Sequence, residues 1–102
     1  MALINTTLST SVANIYASSG NSVVVTAFIC NTDSSARTFN LYAVPAAGTA
    51  GVSNQVLRSV SINAGDTYIM NTERLVLANG ETLQANASTG SVLVATVSYT
   101  GV

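Results

Sequence analysis

Apolar and polar residues alternate with a period of two along most of this chain, and short turn clusters interrupt the alternation. Residues 37–44 set Phe39, Leu41 and Ala43 on one side and Thr38 and Asn40 on the other. Residues 82–87 set Leu83, Ala85 and Ala87 against Thr82, Gln84 and Asn86. Successive side chains of an extended chain point to opposite faces, so these are strands with one buried face. Val, Ile, Thr and Tyr are plentiful, Gly, Asn, Asp and Ser separate the runs, and no stretch combines helical periodicity with caps. The pattern predicts strands near 3–9, 12–17, 22–31, 37–44, 55–62, 67–71, 74–77, 82–87 and 92–100.

Two segments are apolar on both sides. In 22–31, parity places Val23, Val25, Ala27 and Ile29 on one face and Val24, Phe28 and Cys30 on the other. In 92–100, Leu93, Ala95, Val97 and Tyr99 form one face, while Val92 and Val94 carry apolar character onto the second. A sandwich strand needs only one apolar face. A second implies cover by a neighbouring subunit, a folded-over loop or the N-terminal arm.

The turns Asn63-Ala64-Gly65-Asp66-Thr67 and Ala78-Asn79-Gly80-Glu81-Thr82 echo one another. Gly supplies a positive φ and Asp or Asn bonds its own backbone, so the echo reads as turn chemistry and not as a domain repeat. Residues 45–54 form one long, uncharged, Gly-rich loop, either a crossover between sheets or a contact loop. The fold expected is all-β: a two-sheet antiparallel sandwich of about eight strands, jelly-roll or immunoglobulin-like. The 102 residues make one domain. Residues 12–102 form the sandwich, and residues 1–11 an N-terminal arm or edge strand.

Composition narrows the function. The chain has no His, Lys or Trp, and its charged residues are Asp33, Arg37, Arg58, Asp66, Glu73, Arg74 and Glu81. Charged residues make up 7% of the chain, against about 25% in ordinary soluble domains. Three scattered arginines do not neutralise the phosphates of a duplex, so nucleic acid is not an expected partner. Apolar runs are far shorter than the roughly 18 residues that span a membrane. General acid–base catalysis favours His, and nucleophilic Ser or Cys needs an adjacent base. No enzyme activity and no cofactor are expected, and the carboxylates read as solvated turn residues. Asn31, Asp33 and Ser35 place oxygens at alternate positions, as a calcium loop does, but an Asx turn explains the same residues. Metal is not expected. Cys30, the single cysteine, reads as a small buried hydrophobe. Arg58 shares parity with Val56, Val60 and Ile62, so it snorkels, pairs with Glu73 or Glu81, or crosses an interface. The four tyrosines (Tyr16, Tyr42, Tyr68 and Tyr99) suit core edges and interfaces, or stacking on sugars. The opening MALINTTLSTSV lacks the basic and apolar regions of a signal peptide, so synthesis and use without secretion are expected.

Several segments carry a resemblance. They are Val12-Ala13-Asn14-Ile15-Tyr16-Ala17-Ser18-Ser19-Gly20-Asn21-Ser22, Val23-Val24-Val25-Thr26, Cys30-Asn31-Thr32 and Arg37-Thr38-Phe39-Asn40-Leu41-Tyr42. In the second half come Ile62-Asn63-Ala64-Gly65-Asp66-Thr67-Tyr68, Leu77-Ala78-Asn79-Gly80-Glu81-Thr82-Leu83-Gln84-Ala85 and Val97-Ser98-Tyr99-Thr100. From Val12 onward the chain resembles small structural proteins of tailed phages, notably cyanophages. These are turn-and-strand patterns, not chemical signatures. The resemblance implies a virion β-sandwich module made in a bacterial host cytoplasm, without enzyme activity or cofactor. It implies a capsid decoration (cement) protein on the outer shell, often a homotrimer, with itself and a major capsid or other virion protein as partners. The alternative is a tail, baseplate or fibre module that contacts virion proteins or host glycans through Tyr residues and the 45–54 loop. The residues expected at interfaces are Ile4, Leu8, Val24, Phe28, Arg58, Val92 and Val94, with backbone pairing by residues 2–9.

Overall fold

A computed structural model describes residues 2–70 and 75–101. Nine strands occur among them: β1 (Ala2–Thr7), β2 (Ala13–Ala17), β3 (Ser22–Asn31), β4 (Arg37–Val44), β5 (Gln55–Ile62), β6 (Thr67–Met70), β7 (Leu75–Leu77), β8 (Thr82–Ala87) and β9 (Leu93–Gly101). They form two antiparallel sheets. The five-stranded sheet runs β1-β9-β3-β6, with β7 also paired to β3, and the four-stranded sheet runs β2-β8-β4-β5. The all-β sandwich expected from the alternation is the fold observed.

The pairing explains how the chain reaches this order. β1 pairs with β9, β2 with β8, β3 with β6 and β7, and β4 with β5. These are the pairs of one long hairpin whose far turn lies between β4 and β5. Rolling that ribbon up adds the two remaining ladders, β3 with β9 and β4 with β8. That is jelly-roll topology and not the immunoglobulin order. Parity along the strands could not choose between them, because both bury the same alternate residues.

The core lies between the sheets. Ile15, Phe39, Leu41 and Leu83 meet Val24, Ile29, Leu93 and Val97, all essentially without solvent exposure. Phe39 packs edge-on against Tyr68 at 5.5 Å, and Tyr16 tilts over Tyr99 at 4.4 Å, arrangements that suit aromatic quadrupoles.

Three bulges overturn parts of the simple parity reading. In β3, Val24 lies opposite Tyr99 and Thr26 opposite Ser98, so Val25 is an extra residue. The inward set is therefore Ser22, Val24, Ala27, Ile29 and Asn31, not Val23, Val25, Ala27 and Ile29. A bulge shifts every later residue to the other face. In β2 the register slips between Asn14 and Tyr16, so the consecutive residues Ile15 and Tyr16 are both buried. In β5, Ser59 takes φ 50° and Asn40 Oδ1 accepts its N–H at 2.8 Å. That irregularity puts Leu57 and Val60 against the core and leaves Arg58 exposed, so Arg58 never enters the apolar row that parity assigned it.

Candidate interaction surface

The outward face of the five-stranded sheet follows from the ladders, since residues opposite one another share a face. With Ala27 and Ile29 buried, Phe28 and Cys30 point outward. One row runs Ile69–Phe28–Thr96–Asn5 across β6, β3, β9 and β1, and the next runs Thr67–Cys30–Val94–Thr7. Further along, Val76 lies opposite Val23, which lies opposite Thr100. Leu3 and Val76 are each 68% exposed, Ile69 51% and Phe28 37%. Among the described residues this face carries no charge. The described charges lie elsewhere: Asp33 and Arg37 around the β3–β4 turn, Arg58 on β5, and Asp66 and Glu81 in turns. Glu73 and Arg74 lie outside the described residues, as does any pairing of Arg58 with Glu73.

The expected interface residues divide. Phe28 and Val94 lie on the outward face, and Ile4 is exposed on β1. Val24 and Leu8 are core residues, a correction to their assignment. The β3 bulge turns Val24 inward, and the Leu8 N–H bonds Leu93 O at 2.8 Å, which carries the arm across the sandwich mouth with its side chain buried. Val92 packs partly against the core. Cys30 is half-buried on the outward face, not within the core.

The other outward face is chemically different. Asn14, Gln84, Tyr42 and Gln55 form one row across β2, β8, β4 and β5. Beside it Asn40 Nδ2 donates to Asn86 Oδ1 at 3.0 Å, and Asn86 Nδ2 donates to Thr10 O at 3.2 Å. These two amides are occupied in holding the Ser59 bulge and the β1–β2 crossing. Tyr42 accepts from Gln55 Nε2 at 3.4 Å and remains half-buried at the surface. Tyr16, Tyr68 and Tyr99 all pack on the core.

The buried hydroxyls bond within the fold. Tyr16 Oη donates to Ser22 Oγ at 2.7 Å, and Ser22 Oγ lies 2.6 Å from Ser18 Oγ. This buried hydroxyl cluster closes one end of the sandwich. There the Ser18 N–H bonds Glu81 O, the Gly80 N–H bonds Ser18 O, and the Gly20 N–H bonds Asn79 Oδ1. A serine nucleophile needs a base beside it, and these hydroxyls face only hydroxyls and carbonyls. Glu81 Oε1 accepts from the Ala78 N–H.

Asn31 is the residue that sequence reasoning undervalued. Its side chain is fully buried. Nδ2 donates to Ser35 O and Ile62 O, both at 2.9 Å, and Oδ1 accepts from the Asp33 N–H at 2.9 Å. One amide thus ties the β3–β4 turn to the end of β5. Asp33 bonds Arg37 Nε at 2.6 Å and the Ser34 N–H at 2.7 Å. The Arg37 guanidinium, helped by that N–H, holds the Asp33 carboxyl below its ordinary range. The Asx turn is present, and its oxygens are committed to these bonds.

Among the described residues no pocket opens on the surface. Among the described residues no helix is long and apolar enough to cross a membrane. Comparison with protein families, curated proteins and solved structures finds no match to this chain.

Proposed function

We propose that this chain is a structural protein of a phage virion, a decoration protein that binds the outer capsid surface and stabilises the shell. The observation that carries the reading is the outward face of the five-stranded sheet. It is uncharged among the described residues and studded with exposed Leu3, Phe28, Ile69 and Val76. Exposed large apolar side chains gathered on one uncharged face suit contact with another protein, and interface centres are depleted in charge. The jelly roll also occurs in viral capsid proteins, a fold-level analogy that adds to the segment likeness. The mechanism is mass action. A protein that binds the assembled, expanded lattice and not its loose subunits stabilises that lattice. Co-sedimentation with expanded shells, with unexpanded shells alongside, tests this. Selective pelleting with the expanded form supports it, and protein left in the supernatant with both refutes it.

A second reading rests on the other face. A tail or fibre module would use Tyr42 in the row Asn14–Gln84–Tyr42–Gln55, beside the 45–54 loop, against neutral host glycans. Amides and a tyrosine ring suit hydroxyl-rich, uncharged ligands. Glycan-array binding that Tyr42→Ala abolishes would favour it, and an array without signal would remove it.

A further inference from the structure

We infer that the free edge of β1 pairs with β1 of a second copy, joining two five-stranded sheets edge to edge about a two-fold axis. The inference deepens the virion reading and rests on it only for its context.

The four sheet margins are treated differently. Exposed sheet edges recruit other strands unless charge, bulges, Pro or shortness blunts them. β5 carries exposed Arg58 and the Ser59 bulge. β2 has five residues and a slipped register. The fourth margin is divided between β6 (Thr67–Met70) and β7 (Leu75–Leu77), on either side of residues outside the described set. β1 has six residues, Ala-Leu-Ile-Asn-Thr-Thr, in unbroken register with β9, with no charge, Pro or bulge.

The geometry of that edge is fixed by one bond. Leu8, the residue after the Thr7–Val94 pair, donates its N–H to Leu93 O, the next residue along β9. Antiparallel ladders alternate hydrogen-bonded and non-bonded pairs, so Ala2, Ile4 and Thr6 also bond β9. The N–H and C=O groups of Leu3, Asn5 and Thr7 therefore point away from the sheet. All three residues are exposed.

A second β1 running antiparallel about Asn5 meets these groups in order: Leu3 with Thr7 of the other copy, Asn5 with Asn5, and Thr7 with Leu3. The segment is self-complementary and holds no charge to repel its copy. Asn5 Oδ1 accepts from Thr96 Oγ at 2.8 Å, and Nδ2, which has no partner among the described residues, is left to bond the opposing Asn5. The pairing makes the two uncharged outward faces one continuous surface. It consumes the unprotected edge of each copy, so a closed dimer results and not a fibre. It replaces the three-fold arrangement that the phage likeness implies with a two-fold one.

The test is analytical ultracentrifugation of the full chain at tens of micromolar, with Asn5→Pro and Leu3→Lys beside it. The Asn5 N–H faces away from β9, and Pro is tolerated on a strand edge in that orientation. Leu3→Lys places a charge there without touching the backbone. The expected result is a dimer for the parent chain and a monomer for at least one variant with an unchanged urea midpoint. A parent that is monomeric or trimeric overturns the inference, and so do two folded variants that both stay dimeric. Should Asn5→Pro unfold, Leu3→Lys alone decides. Shell co-sedimentation run on the same samples separates the two claims. A monomeric parent that pellets with shells defeats edge pairing alone, and a dimer that ignores shells defeats docking alone.

Discussion

Replacing Ile69 and Val76 together by Thr should loosen docking on the shell and leave the fold intact. Fully burying an Ile or Val side chain is worth about 1.5–3 kcal/mol. Ile69 is 51% and Val76 68% exposed, so covering what remains open supplies about 1 and about 1.5 kcal/mol. Thr keeps the branched shape that strands favour, but its hydroxyl, covered without a partner, costs roughly 1 kcal/mol more. With one such hydroxyl at each position, the pair should therefore weaken docking by about 4 kcal/mol, roughly a thousand-fold in Kd. Both side chains point away from the core, opposite Phe28 and Val23, so folding stability should change by less than about 0.5 kcal/mol. Co-sedimentation titrated against expanded shells reads the first quantity, and urea unfolding reads the second. Unchanged docking by the folded double variant would refute the assignment of this face. A large fall in the urea midpoint would instead refute its outward orientation.

Three further outcomes follow from the fold. Asn31→Ala removes the amide from Ser35 O, Ile62 O and the Asp33 N–H; with about 1–3 kcal/mol for each group left buried and unpaired and the turn groups partly rescued by water, urea unfolding should show a loss of about 2–4 kcal/mol, and a loss under about 0.5 kcal/mol would contradict the tie between turns. Gly80 sits at φ +84° and an added Cβ would lie 3.3 Å from Ala46 Cβ, so Gly80→Ala should cost about 1–2 kcal/mol and lower Tm, whereas an unchanged Tm would show that the turn relaxes freely. Because Arg37 and the Ser34 N–H depress the Asp33 carboxyl, its contribution to stability is present above the ordinary carboxylate pKa and is lost as pH falls through the lower, folded value. Asp33→Asn should therefore be less stable than the parent at pH 7 and match it in strong acid, and a difference that persists in strong acid would point to a cause other than charge.

The strands were legible from alternation because each sheet buries one face, and the pattern over 37–44 and 82–87 coincides with β4 and β8. The faces were less legible. Period-two reading assumes an unbroken register, and Val25 breaks it inside a run where Val23, Val24 and Val25 are chemically equivalent. No local signal told which valine was the extra one, so Val24 was assigned to the surface. Arg58 beside Val60 did carry a hint, since a charge in an apolar row favours a bulge over burial. Asn31 carried another: it is in phase with Ala27 and Ile29, and a polar residue in core phase needs buried partners. The β1 edge was readable as composition, uncharged from residue 2 to residue 7, but its exposure appears only once β9 is seen on one side and no described strand on the other.

Where the protein resides on the particle separates a head decoration protein from a tail module. Electron microscopy of particles that contain it, with an antibody label against the chain, answers this directly. A decoration protein gives label distributed over the head shell, the expected result. Label confined to the tail, or particles that carry none, would contradict it.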